Sequence, residues 1–242
     1  MISMHLQFHS PSLNMHTRVN VLLPEFFELQ GRLPVVYLLH GLTGDCEDWL
    51  YMAKAKQLAS RYNIILVFPS AHNSFYTDMR YGQKFYTYIA QELQGYIESL
   101  LPIDTAQRYL CGLSMGGYGA LKIALRSPSR YRAVGAFSGV LDIAEERNFK
   151  RFPAEFAACF GSRVPPEEDL FHLAKQPGAE DLPIYLACGT EDELFPQNER
   201  FAAENSHLNL RYVKEPGGHE WPFWERHLAA FLAQHFVEKT AQ

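Results

Sequence analysis

The pentapeptide Gly112-Leu113-Ser114-Met115-Gly116 restricts this chain more than any other feature. An apolar run, Tyr109-Leu110-Cys111, leads into it. A helix-like run, Tyr118-Gly119-Ala120-Leu121-Lys122-Ile123-Ala124-Leu125, leads out. The order is therefore strand, sharp turn, helix. A serine flanked by glycines at such a turn is forced into a strained conformation, with its hydroxyl thrust out at the end of a sheet. A side chain at Gly112 or Gly116 would collide where the strand and the helix come together.

The rest of the chain repeats this alternation. Short apolar runs at 4–9, 17–23, 34–39, 63–68, 108–113, 132–138, 183–189 and 209–214 read as strands. Amphipathic stretches fall between them. The run 82–101 has helical periodicity through Phe85, Tyr88, Ile89, Leu93, Tyr96, Ile97 and Leu100, and Pro102 ends it. A last helix is expected at about 222–237. The pattern predicts an α/β fold, with a mostly parallel eight-stranded sheet covered by helices on both faces and its first two strands paired antiparallel. The 242 residues suit a single domain, 1–242. The segment 142–181 breaks the rhythm with charge, Phe and Pro, and reads as an insert before the seventh strand. It could form a lid or substrate wall, or a surface excursion or oligomer contact.

Composition narrows the function. A net charge of -5 gives nucleic-acid binding no electrostatic support. No run is long enough to span a membrane, and the start, Met1-Ile2-Ser3-Met4-His5, does not look like a signal peptide, so a cytoplasmic protein is expected. Cys46, Cys111, Cys159 and Cys188 match no zinc spacing, and no metal is expected. Cys111 and Cys188 sit in apolar strand runs and read as buried thiols, while Cys46, in a loop near the serine, is a candidate reactive thiol.

A serine hydroxyl needs a base, and the base an orienting acid. In the α/β-hydrolase fold, to which such a serine turn belongs, the chain order is serine, acid, histidine. After the strand run 183–189 comes Thr190-Glu191-Asp192-Glu193, and Asp192 is the acid candidate, with Glu191, Glu193 and the earlier Asp142 as weaker ones. After the last strand run, Gly217-Gly218-His219 supplies a mobile loop and the base, His219. His207, His227 and His235 fit a helix surface or a satisfied core position better. The pair His219-Glu220 does not open a zinc-protease H-E-x-x-H, because the fifth residue is Phe223. Oxyanion donors are expected from the N–H of Met115 and, after His40-Gly41, from that of Leu42, with Thr43 as the alternative. His40 should hold that loop by hydrogen bonding. Of the aromatics in these loops (Trp49, Phe75, Tyr76, Tyr81, Trp221, Phe223 and Trp224), Trp221 and Tyr76 are the candidate substrate contacts.

At this point the chain resembles the esterase D-type α/β-hydrolases, and among them the bacterial tributyrin esterases. The resemblance rests on Tyr37-Leu38-Leu39-His40-Gly41, Phe75-Tyr76-Thr77-Asp78, Gly112-Leu113-Ser114-Met115-Gly116-Gly117-Tyr118-Gly119 and His219-Glu220-Trp221, with Trp224-Glu225. It implies a serine carboxylesterase for short-chain acyl esters, with Ser114, Asp192 and His219 as its triad and neither metal nor organic cofactor. It also implies a small-molecule ester as partner, and dimers or tetramers in some members. S-formylglutathione hydrolases and carbohydrate acetyl or feruloyl esterases are relatives, and give the alternative readings. The chain departs from the first group at Gly44-Asp45-Cys46 and at Glu193-Leu194-Phe195, which places a glutathione thioester second. An inactive hydrolase fold kept as a binding module is the least favoured reading, because Ser114, Asp192, His219 and Gly41 are all present.

Overall fold

The computed structural model describes residues 1–25 and 31–238. Its eight strands form one sheet: β1 (Ile2–Ser10), β2 (Met15–Leu23), β3 (Leu33–Leu39), β4 (Ile65–Pro69), β5 (Ile103–Leu113), β6 (Ala133–Phe137), β7 (Ile184–Gly189) and β8 (Leu210–Glu215). The strand order is β1-β2-β4-β3-β5-β6-β7-β8. β1 and β2 pair antiparallel, as does β2 with β4, and the remaining pairs are parallel. Each expected strand is present, displaced by a few residues at most at its ends except β5, which starts earlier, at Ile103.

The sheet is covered on both faces, as its sequence requires. Successive residues of β3 point to opposite sides. Val35, Tyr37 and Leu39 enter one apolar cluster, and Val36 and Leu38 the other. The helices are α1 (Asp48–Met52), α2 (Ala55–Tyr62), α3 (Phe85–Thr87), α4 (Leu93–Leu100), α5 (Met115–Leu125), α6 (Glu146–Arg151), α7 (Pro153–Phe160), α8 (Leu170–Leu173), α9 (Phe195–Glu204) and α10 (Trp221–His235). α4 and α5 pack with the first cluster, and α1, α2 and α10 with the second.

The expected single helix over 82–101 is interrupted. A π-helical stretch, Tyr88–Glu92, separates α3 from α4. Widening the turn there still buries Tyr88, Ile89 and Ala90, so the apolar pattern runs through it. Between β6 and β7 lie α6, α7, a 3₁₀ turn (Pro166–Glu168) and α8, which together occupy about half of the segment 142–181.

That segment is tied to α5 at Glu168 through a buried charge. The Lys122 ammonium is fully enclosed and donates to the Phe75 carbonyl at 3.1 Å and to Glu168 Oε2 at 2.6 Å. Arg126 donates to Glu168 Oε1 at 3.0 Å, and the Tyr118 hydroxyl to the Glu168 carbonyl at 2.7 Å. Burial pushes the Lys122 ammonium down to about 8, although Glu168 beside it favours the charged form.

Candidate active site

Ser114 stands between β5 and α5 with φ 53° and ψ -119°, a backbone region that side chains other than glycine adopt only under strain. Its N–H donates to the Phe137 carbonyl at 2.9 Å, which fixes the turn against β6. The flanking glycines are there for contact. A Cβ on Gly112 would lie 2.1 Å from the Gly116 carbonyl oxygen, and one on Gly116 would lie 2.3 Å from that of Leu39.

Asp192 and His219 reach Ser114 from the loops after β7 and β8. His219 Nε2 lies 3.0 Å from Ser114 Oγ, and His219 Nδ1 lies 2.9 Å from Asp192 Oδ2. The Asp192 carboxylate is enclosed, and its Oδ1 accepts from the Leu194 N–H at 2.8 Å. Burial alone would raise its pKa. The hydrogen bond and charge of His219, with the Leu194 N–H, outweigh burial and hold the carboxyl below its ordinary value. An ionised Asp192 accepts the Nδ1 proton, and the Nε2 lone pair is then left to accept from the serine hydroxyl.

The weaker candidates go elsewhere. Asp142 is paired with Arg200. Glu191 is exposed, and Glu193 is paired with Arg151. His207 Nε2 bonds the Ala174 carbonyl at 2.9 Å. His227 bonds the Tyr185 hydroxyl at 2.9 Å, and His235 packs against Tyr109 and Phe231.

The loop after β3 is pinned from several sides. The Thr43 N–H donates to Asn73 Oδ1 at 2.8 Å, so it is occupied. The N–H of Leu42 has no acceptor among the described residues. Met115 opens α5, where an N–H has no partner within the helix. The Trp49 indole donates to the Leu39 carbonyl at 2.9 Å, and the Tyr76 hydroxyl to the His40 carbonyl at 2.8 Å. His40 is enclosed. It accepts the Ala71 N–H at Nε2 (2.9 Å), so Nδ1 carries the proton and donates to the Gly41 carbonyl (2.7 Å). Burial pushes this imidazole down to about 4.

The His40 environment has a consequence for stability. Between about pH 6.5 and pH 4 the unfolded chain binds a proton at His40 that the folded chain refuses, so stability rises with pH across this window. Acidifying through the window should cost about 3 kcal/mol from this residue. His40→Gln should remove that share of the acid slope. Urea unfolding of both proteins at about pH 7 and about pH 4.5 measures it, and equal slopes would refute this account of His40.

Above Ser114 lies a cleft of about 360 Å³. Leu42, Phe75, Met115, Val140 and Leu194 line it, with Trp221 and Trp224 beside His219. Trp221, one of the two expected substrate contacts, is among the lining residues. Tyr76, the other expected substrate contact, is not: it has no exposure and does not line the cleft. Its ring lies against Gly119, where a Cβ would come within 2.3 Å of it, and its hydroxyl is spent on the loop after β3. The expectation for Cys46 is also corrected, since its side chain is 1% exposed and burial pushes the thiol up. The sequence reading missed Asp48, Asn148, Arg151 and Phe152, which also line the cleft, the last three from the segment 142–181.

Known proteins resemble this chain over nearly its whole length. The family model described as "Putative esterase" matches residues 10–235. An acetyl esterase of Caldicellulosiruptor saccharolyticus is 30% identical, over 95% of this chain and 96% of its own. An S-formylglutathione hydrolase of Bos taurus is 25% identical, over 85% and 82% respectively. Among solved structures, a substrate-bound fluorophosphonate-binding serine hydrolase of Staphylococcus aureus superposes with a TM-score of 0.88 at 26% identity, covering 96% of this chain and 97% of that one. No helix among the described residues is long and apolar enough to cross a membrane.

Proposed function

This chain belongs to the esterase family, with the α/β-hydrolase fold of its serine hydrolase relatives, and we propose on that premise that Ser114, Asp192 and His219 hydrolyse short-chain acyl esters. The observation that carries the reading is the relay of 3.0 and 2.9 Å from Ser114 Oγ through His219 to Asp192 at the floor of the cleft.

In this mechanism Ser114 Oγ attacks the ester carbonyl carbon while His219 Nε2 takes its proton. The carbonyl oxygen becomes an oxyanion, held by the N–H groups of Leu42 and Met115. His219 returns the proton to the departing alkoxide, and the acyl group remains on Ser114. Water then attacks the acyl-enzyme, with His219 again as base, and the free acid leaves. Asp192 stays ionised throughout and holds the imidazole in the required tautomer. The segment 142–181 supplies part of the substrate wall through Asn148, Arg151 and Phe152. Four free thiols among the described residues fit a reducing compartment, and the cytoplasm is the location proposed.

The size of the cleft supports short acyl chains. About 360 Å³ is near the lower end for small-molecule sites. Each methylene that enters gains about 0.8 kcal/mol, until the wall stops the next one. On p-nitrophenyl esters, kcat/KM should peak at roughly C2 to C6 and be small by about C12. A rate still rising at the longest chain would mean an open channel and defeat the short-chain reading. The S-formylglutathione hydrolase relative supports a thioester as second reading. Parallel rates on p-nitrophenyl acetate and S-formylglutathione decide between them.

A further inference from the structure

His219 sits on the loop between β8 and α10, where the Gly217 carbonyl accepts from the Glu191 N–H at 3.1 Å. Gly217 and Gly218 precede it, and the space around Gly218 is open. Its side chain is 29% exposed. Two hydrogen bonds, to Asp192 and to Ser114, hold the ring at its two nitrogens. They leave it free to roll about the line that joins those nitrogens. The N–H and lone-pair directions of an imidazole are not collinear, so rolling swings both off their partners.

A third contact opposes this roll. The Trp224 indole meets the imidazole edge to face, with centroids 4.9 Å apart and planes at 85°. Trp224 is carried on α10 and is 6% exposed, so it is itself fixed. Behind it, Trp221 packs on Trp224 at 5.3 Å and 80°, and Trp49 packs on Trp221 at 5.3 Å and 88°. Trp49 in turn donates to the Leu39 carbonyl at the end of β3. All three tryptophans of the chain thus form one line from the imidazole to the strand that leads into the oxyanion loop.

Trp224 pays an unusual cost for its place. Its Nε1–H is buried without an acceptor among the described residues. A phenylalanine would avoid that unpaired donor, so hydrogen bonding does not explain the residue. What the residue offers, beyond its place in the apolar cluster and in the cleft wall, is a large ring that meets the imidazole at close to a right angle. We propose that Trp224 is a positioning residue for His219, whose indole stops the imidazole from rolling and keeps Nε2 aimed at Ser114. The inference rests on the serine-esterase reading given above. It assigns Trp224 an effect on turnover, distinct from a share in substrate binding.

The test compares Trp224→Leu, which fills much of the space without a flat ring, with Trp224→Phe, which keeps a ring. On p-nitrophenyl acetate, Trp224→Leu should lower kcat about tenfold to a hundredfold with KM changed little, as expected when a reacting group is displaced by a fraction of an ångström. Trp224→Phe should restore kcat to within a few-fold of the wild type. Labelling by an alkyl fluorophosphonate gives a readout free of substrate binding through the alcohol. Ser114 Oγ displaces fluoride from phosphorus while His219 Nε2 takes the hydroxyl proton, so the labelling rate should fall in step with kcat. Melting temperatures show whether each variant is folded, and Trp224→Met replaces the leucine variant if that one is not. An effect on KM alone makes Trp224 a substrate wall and overturns the proposal. So does a phenylalanine variant as slow as the leucine one, or equal labelling rates in all of them. A wild-type protein that does not label at all defeats the serine-esterase reading instead.

Discussion

Replacing Ser114 by alanine is expected to lower kcat by about 10⁴–10⁶, the loss usual when a hydrolase nucleophile is deleted. The hydroxyl is the group proposed to carry the acyl chain, and no exposed thiol stands beside it as a substitute. Cys46 is enclosed, and Cys111, Cys159 and Cys188 are buried as well. The variant should stay folded, since the change deletes one small polar atom and leaves the Ser114 N–H bond to Phe137 in place. Steady-state rates on p-nitrophenyl acetate measure it, with a melting curve as control. More than a tenth of the wild-type activity in a folded variant would remove Ser114 from the mechanism. His219→Ala should be comparably damaging, whereas His207→Ala should leave kcat largely unchanged, because its ring is spent on the Ala174 carbonyl.

The second large effect belongs to Asp192. Asp192→Asn should cost about 10⁴ in kcat. An amide in that place can offer its NH₂ group to His219 Nδ1, which shifts the imidazole proton to Nε2. Nε2 then has no lone pair for the serine proton. Asp142→Asn is the contrast: its carboxylate is engaged by Arg200, away from the imidazole, and kcat should change little. If the two effects came out in the reverse order, the acid assignment would fail while the nucleophile and base stood.

What could be read from the sequence and what could not divide along physical lines. The strands were legible because the central ones are buried on both faces and read as unbroken apolar runs between turn residues. The meeting of Ser114, Asp192 and His219 was legible because each follows a strand run, and strand ends converge on one edge of a parallel sheet. Tyr76 was misread because position in a loop says nothing about where a ring points. The signal lay in Gly119, whose missing side chain makes room for that ring. Nothing in the helix-like run around Lys122 marks it as buried or names a partner, and only the fold reveals Glu168, 46 residues away. Arg151 and Asn148 were missed for a similar reason. They lie on α6, in an irregular segment whose path over the cleft is set by packing and leaves no periodic mark.

The backbone at Ser114 carries one more implication. Its φ of 53° with ψ of -119° is a conformation in which only glycine is at ease. Ser114→Gly would relieve that strain, so the substitution that makes the turn most comfortable is also one that removes the proposed nucleophile. Endurance and chemistry are opposed at a single residue. A lineage selected only to survive heating would tend to drift toward a sound but inert molecule. Keeping the serine there requires continuing selection for turnover, with the surrounding strands and glycines holding it in an arrangement it would not choose by itself.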